Sequence, residues 1–299
     1  MSLVLGIDTG GTYTDGVILD INSQKVIAKA KVLTTHDNLT SCIGECFQEI
    51  KCDAVNDVKM VALSTTLATN AVVEGRGGEV GLLLIGHEPI DKLPTKFYQV
   101  ITGGHDVAGN LQAELDVEQV RRAIRYFEGK VEAVAISSFF SIRNPEHEQQ
   151  ARELIREMMD VPIVCGHELS SSLGFHERTV TAVLNAGLLP TIASLIEAVK
   201  GVLTAEQIDA PLMIVKGDGS LMSESVARIK PIETLLSGPA ASIYGATYCA
   251  KVKDALVLDM GGTTTDIALL SDEVPKVNNE GAVVGGWATR VKAAEINTY

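Results

Sequence analysis

The chain has 299 residues, of which 46% are hydrophobic, 21% charged and 4% aromatic; this excludes a disordered or collagen-like chain and allows one large or two ordinary domains. A net charge of −13 excludes a broad nucleic-acid surface, which needs clustered Lys and Arg, but not a single bound nucleotide held by backbone N–H groups and a metal. The start, MSLVLGIDTGG, lacks a basic, cleavable signal, and no apolar run reads as long enough to span a bilayer, so the expected location is the cytoplasm, with no membrane or nucleic-acid partner.

In chain order, LVLGID, YTDGVILD and KVIAKAKVL read as three strands, the first two joined by the turn TGGT. HDNLTSCIGECFQEI follows with apolar residues at helical spacing. Cys42 and Cys46 fall on that apolar side and read as small buried hydrophobes; Cys52, Cys165 and Cys249 complete the five cysteines. VKMVALS is a buried strand, TTLATNAVVEG a helix and EVGLLLIG another strand, which together describe a mixed sheet with helices on its faces. LDVEQVRRAIRYFEG is an amphipathic helix opened by Asp116, with Gln119 placed for a capping box. VEAVAISSFF has the unbroken apolarity of a strand covered on both faces. NPEHEQQARELIREMM carries Asn144 at the cap and Pro145 at the first helical position, with His147 facing solvent. VPIVCGHEL returns as a strand. The long apolar stretch from Glu177 to Leu203 is expected to kink or split at Pro190. PLMIVKG is a strand, DGS a turn, and SGPAASIYGATYCA a small-residue helix running into a last strand pair.

That last pair repeats the first. LGIDTGGTYTDGVIL (Leu5–Leu19) and LVLDMGGTTTDIALL (Leu256–Leu270) share an ordered Asp-x-Gly-Gly-Thr-x-Thr-Asp. In each copy an apolar strand brings an Asp to its end, and two glycines turn the chain back. Such glycines tolerate positive φ and close approach to a ligand, and their N–H groups with the Thr hydroxyl suit phosphate oxygens. Mg²⁺ takes carboxylate oxygens and keeps several waters, so Asp8 and Asp259 are candidate metal ligands. Thr9, Gly10, Gly11, Thr12 and Thr14, with Gly261, Gly262, Thr263 and Thr264, are candidate phosphate-binding residues. Asp15 and Asp266 orient water or stabilise their own hairpins. Two facing copies make two walls of one polyphosphate cleft; the alternative is a pair of ordinary glycine turns. Neither copy is a Walker loop or a Rossmann fingerprint.

The pair resembles the two phosphate motifs of the actin, sugar-kinase and heat-shock-chaperone ATPase superfamily. LSTTLATNAVVEGRG, NPEHEQQARELI, SSSLGFHERTVTAVLNAGLLP, KGDGSL and LLSGPAASIYGA resemble, in order, the hydantoinase/oxoprolinase family, also called hydantoin-utilisation protein A. The chain departs from that family's usual His-Gly-Thr-Thr at Leu63-Ser64-Thr65-Thr66, and from Gly-Glu-Tyr-Glu-Arg at Gly174–Arg178.

The resemblance implies an α/β fold, ribonuclease-H-like (actin-like ATPase), a mixed sheet with helices on both faces. Residues 1–250 are then a first such domain with insertions and a connecting helix, and 251–299 a second, only begun. It implies an ATP-dependent, Mg²⁺-using hydrolase of cyclic amides, of hydantoin or 5-oxoproline type, in which the amide oxygen attacks the γ-phosphate before ring opening. A second hydantoinase-type subunit is the expected partner. A ketone carboxylase subunit or small-molecule kinase is the alternative on the same scaffold, and a non-enzymatic nucleotide switch a third. With so little after Leu270, the isolated chain is expected to bind ATP weakly or not at all, and not to turn over.

Further candidates each have a structural reading beside the functional one. Thr65, Thr66 and Asn70 meet substrate at a helix start or merely cap it. Glu177, beside Arg178, is an active-site group or an exposed charged turn. Asp218 lies where α/β proteins place ligands, or is a plain turn residue. The six histidines are scattered without ligand spacing, and no zinc site is expected.

Overall fold

The structure, a computed structural model, describes residues 2–35, 38–52, 55–261 and 265–298. Met1–Ala71, Thr191–Glu280 and Lys292–Tyr299 form one compact unit; Val72–Pro190 and Gly281–Val291 form a second. The border expected at 250/251 falls inside the first unit.

The chain opens with the strands β1 (Leu3–Thr9), β2 (Tyr13–Asp20) and β3 (Lys25–Leu33), an antiparallel meander. Strand parity decides what each side chain does. Leu3, Leu5, Ile7 and Thr9 face the core, while Gly6 and Asp8 take the opposite face. Helix α1 (Leu39–Ile50) lies against β2 and β3 and buries Cys42, Ile43, Cys46, Phe47 and Ile50; Asn38 caps it by accepting from the Ser41 N–H at 3.1 Å. Strand β4 (Val58–Thr65) pairs parallel with β1 and leads into α2 (Leu67–Glu74).

The second unit is built on β5 (Val80–Ile85), β6 (Phe97–Ile101), β9 (Ala133–Ser138) and β10 (Ile163–Cys165), all parallel in the order β10-β9-β5-β6; between β6 and β9 the hairpin β7 (Gly104–His105) and β8 (Leu111–Ala113) intervenes. Val80–Ile85 was expected to extend the first sheet. It instead centres this one, where every residue of β5 and β9 is buried. One face packs Leu83, Ile85 and Ile136 on α3 (Val117–Phe127) and α4 (Glu146–Met158). The other packs Leu82, Leu84 and Ala135 on the start of α6 (Phe175–Ala205), which follows the one-turn α5 (Gly166–Leu169).

Several local features depart from the pattern expected of the sequence. Asp116 caps α3 by accepting from the Gln119 N–H, but the Gln119 side chain does not return to the cap; it bonds the Thr102 N–H at 2.7 Å and the Thr102 hydroxyl at 3.0 Å. Pro145 stands at the cap position of α4 rather than inside it, and the Asn144 side chain accepts from the Glu146 N–H. His147 is buried, not solvent-facing. Helix α6 runs unbroken through Pro190, because buried aliphatic residues anchor both flanks, Val183 and Ala186 before it, Ile192 and Leu195 after it. By length and composition α6 is also apolar enough to cross a bilayer, contrary to expectation; 67% of its most apolar window is buried, the pattern of a core helix.

The chain returns to the first unit with β11 (Leu212–Val215), parallel to β4, and β12 (Leu221–Ser223), giving the sheet order β12-β11-β4-β1-β2-β3. The place beside β4, opposite β1, belongs to β11. After α7 (Glu224–Ile229) comes α8 (Ser237–Ala250). It is followed by the second hairpin, β13 (Ala255–Met260) and β14 (Thr265–Ser271), extended by β15 (Val274–Pro275) and by Ile296–Thr298. Ile243 of α8 packs on Ala268 and Leu270 of that sheet.

Candidate functional site

The register of the first sheet assembles a polar row. Ser64 of β4, Asp8 of β1, Asp15 of β2 and Lys31 of β3 are successive partners across four neighbouring strands. Asp8 thus sits between Ser64, whose hydroxyl donates to its Oδ1 at 2.6 Å, and Asp15, which takes both of its hydrogen bonds from Lys31 Nζ at 2.8 Å. In the second hairpin Asp259 pairs with Asp266, the same cross-strand Asp–Asp match. Both pairs line one cleft of about 1100 Å³ within the first unit, together with Gly10, Gly11 and Thr12 of the first turn and Gly261 of the second. The two walls expected from the repeat are therefore present.

Burial raises the Asp8 carboxyl above its usual range; the Ser64 hydrogen bond pulls it back down, Asp15 and Asp259 push it up further, and Lys31 opposes them. The cleft lining sets five carboxylates, Asp8, Asp15, Glu49, Asp259 and Asp266, against Lys29 and Lys31, which leaves an excess of negative charge. Hard oxygen donors in that surplus are the kind that Mg²⁺ takes.

The expected phosphate-binding residues divide by parity. Thr9 and Thr14 do not reach the cleft: they pair with each other one step beyond Asp8 and Asp15, on the core face, and are fully buried. The Thr14 hydroxyl meets the Thr34 hydroxyl at 3.0 Å and Cys42 Sγ at 3.6 Å. The Gly10 N–H is also spent, closing the turn onto the Tyr13 carbonyl at 2.9 Å. Neither Gly10 nor Gly11 has the positive φ expected of them. Gly10 is required by proximity instead, since a Cβ there would lie 2.9 Å from the Tyr13 oxygen. Thr12, exposed, makes no side-chain hydrogen bond among the described residues, so its hydroxyl remains available. Gly262, Thr263 and Thr264 lie outside the described residues.

Of the other candidates, Thr66 and Asn70 line the cleft and touch each other at 3.4 Å. Thr65 caps: its hydroxyl accepts from the Leu67 N–H and donates to the Thr9 carbonyl. Ser237, at the start of α8, clasps the Thr65 backbone through both its N–H and its carbonyl. This brings Gly238 against the site, where a Cβ would sit 3.0 Å from Thr66 Cγ2 and 3.5 Å from Asp8 Oδ1. Asp218 is outside the cleft lining; it accepts from the Ser220 N–H and hydroxyl and lies 3.6 Å from Lys216, the turn role.

Ser64, Lys31 and Gly238 were missed from the sequence. Counting back from the β2–β3 turn would set Ala30 opposite Asp15; a one-residue register shift between Ile18 and Leu19 brings Lys31 there instead.

Glu177 belongs to the second unit, 3.2 Å from Arg290. Arg178 is no exposed turn residue: it is 2% exposed, and Nη2 donates to the Ser138 carbonyl at 2.9 Å. Its neighbour Glu148 accepts from the Ser138 and His167 N–H groups and pairs with the His167 ring. With Cys165 these make a Glu–Cys–His group whose ligand atoms lie within 4.8 Å of one another, a grouping invisible in the sequence spacing. Burial, with Glu148 adding, pushes the Cys165 thiol up to about 12, and Arg152 Nε donates to its sulfur at 3.2 Å. The group therefore has the character of a hydrogen-bonded network joining β9, β10, α4 and α5.

A meander sheet extended by parallel strands, with a duplicated Asp–Asp hairpin opening on one acidic cleft, defines an actin-like ATPase-type fold. The chain belongs to the hydantoinase/oxoprolinase family: residues 4–159 match that family's N-terminal region and residues 178–299 the hydantoinase/oxoprolinase domain. It is 31% identical to the caprolactamase subunit alpha of Pseudomonas jessenii, covering 89% of this chain and 43% of the relative. The crystal structure of the ATP-dependent caprolactamase from that organism superposes with a TM-score of 0.79 at 27% identity, covering 99% of this chain and 47% of the other. The acetophenone carboxylase gamma subunit of Aromatoleum aromaticum is 27% identical over 96% of this chain and 45% of its own. A nucleotide-free acetone carboxylase structure superposes with a TM-score of 0.88 at 19% identity, covering 100% of this chain and 48% of the other. The chain spans less than half the length of each.

Proposed function

We propose that the cleft binds Mg·ATP and that the complete protein is an ATP-dependent hydrolase of cyclic amides, working with a second hydantoinase-type subunit. The observation that carries this is the shared cleft of the pairs Asp8–Asp15 and Asp259–Asp266. Family membership and the likeness to a caprolactamase subunit support the amide reading. Asp8 and Asp259 would hold Mg²⁺ directly or through its waters, and the ion would neutralise the phosphates. Thr12 contributes a hydroxyl to the phosphate wall, and the first glycine turn keeps that wall free of Cβ atoms. Lys31 fixes Asp15 beside Asp8. Thr66 and Asn70 bring a hydroxyl and an amide to the same space. The amide carbonyl oxygen attacks the γ-phosphorus and ADP leaves; water then adds to the activated carbon, the ring C–N bond opens with protonation of the leaving nitrogen to give an acyl phosphate, and a second water releases phosphate and the carboxylate. Positioning and charge neutralisation are what such phosphoryl transfer needs.

The likeness to the acetophenone carboxylase subunit favours a second reading, ATP-dependent carboxylation of a ketone. ADP release by the complete protein, with and without its partner subunit, separates the two. Stimulation by lactams, hydantoins or 5-oxoproline with ring-opened product supports the hydrolase. Stimulation only by a ketone with bicarbonate overturns it in favour of the carboxylase.

A further inference from the structure

We propose that Ser64 is a positioning residue of the cleft, whose hydroxyl holds Oδ1 of Asp8 so that Oδ2 is the oxygen left to meet the cation. The inference rests on the Mg·ATP reading above, and concerns how this chain presents its carboxylate.

Ser64 is the parallel-strand partner of Asp8, which places both side chains on the cleft face of the sheet. The 2.6 Å separation is at the short end for a hydroxyl on a carboxylate, the range of charge-assisted bonds. At 5% exposure the hydroxyl has little water to turn to, and Asp8 is its sole hydrogen-bond partner among the described residues. Gly238 closes the other flank of the same oxygen, since a Cβ built there would stand 3.5 Å from Oδ1. Oδ2 takes no hydrogen bond among the described residues. One carboxylate oxygen is thus bracketed by Ser64 and Gly238 while the other is free.

Such an arrangement suits an ion that demands near-ideal octahedral geometry, for which a carboxylate free to swing is a poor ligand. Outer partners that orient a ligating carboxylate typically change metal affinity 10–100-fold. A serine that merely fills space in β4 would have no such effect.

The test uses the complete protein with ADP and Mn²⁺, reading bound Mn²⁺ by electron paramagnetic resonance so that the result does not depend on turnover. Ser64→Ala should raise the Mn²⁺ dissociation constant about 10-fold, and Ser64→Thr, which keeps a hydroxyl, should restore it to within about twofold. Thermal melting checks that each variant folds, and Ser64→Gly replaces the alanine if that variant does not. Unchanged Mn²⁺ affinity in Ser64→Ala, or equal weakening in Ser64→Thr, overturns the proposal. Asp8→Asn separates the two levels: if it weakens Mn²⁺ while Ser64→Ala does not, only the role of Ser64 falls. If neither variant alters Mn²⁺ binding, the metal reading of Asp8 falls with it.

Discussion

The two hairpins carry one motif in opposite settings. Leu5 and Ile7 of β1 and Ile18 of β2 are 0%, 5% and 0% exposed; Leu256, Leu258 and Leu269, at the matching positions of the second copy, are 62%, 61% and 56% exposed. Thr9, fully buried, answers to Met260 at 82%. The apolar period is the same, yet in the first copy α1 covers that face and in the second nothing among the described residues does. The opposite face is alike in both: an Asp pair turned into the shared cleft. The acidic positions are in step while the support beneath them differs.

The likeness of the two hairpins is most exposed to test at the acidic pairs. Replacing Asp8 or Asp259 with Ala in the complete protein should each reduce ATP turnover by about 100-fold or more, equal to roughly 3 kcal/mol, with the fold retained by circular dichroism. If one hairpin tolerates the change, the two walls are not equivalent. A matched truncation tests support directly. Leu5→Ala should cost about 2–5 kcal/mol in denaturant unfolding, while Leu256→Ala should stay within about 0.5 kcal/mol. Equal costs would mean that the second face is covered in solution. Leu258→Lys should reduce self-association of the chain in light scattering without lowering its melting temperature, because the bare face is an apolar patch. Asp8→Asn removes a charge that burial and its acidic neighbours disfavour, so the ligand-free chain should melt slightly higher as turnover is lost.

The smallest effect lies in the second unit and serves as a control on acid sensitivity. His147 accepts from the Gly104 N–H and lies tilted against the His105 ring at 4.4 Å between centroids, with Glu146 and Glu114 nearby. Burial first, and His105 second, hold its pKa below 6.5 in the folded chain. The unfolded chain therefore binds the proton first, so this contribution is complete above pH 6.5 and is lost as pH falls from there through the folded value. His147→Gln should flatten that part of the stability–pH curve; an unchanged slope would assign it elsewhere.

Much of this was legible in advance for identifiable reasons. The first three strands are delimited by turn residues and β-branched runs, and they fall where their patterns place them. Asp8 and Asp259 could be singled out because duplication makes a short motif improbable by chance, and both line the cleft. Thr9 and Thr14 were misassigned because a motif is read as consecutive letters, whereas a strand sends neighbours to opposite faces. Ser64 and Lys31 stayed hidden since cross-strand partners are remote in sequence. His147 looked solvent-facing amid charged neighbours, but α4 buries it together with Glu148. The place of β5 was equally undetermined, since an unbroken apolar strand names no sheet.

One feature of the topology bears on how the chain comes to be folded at all. Leu63 and Ile214 are neighbours in the first sheet, although the whole of Val72–Pro190 is threaded between them. Closing so long a loop carries an entropic penalty that slows late pairings of this kind. Within the inserted unit, however, the Gly78 N–H donates to the Gly187 carbonyl at 3.0 Å, holding its incoming and outgoing segments side by side. Once that unit has condensed, the loop left for β4 and β11 to close is short. An insertion that condensed first would act as a kinetic staple for the sheet that carries the aspartates.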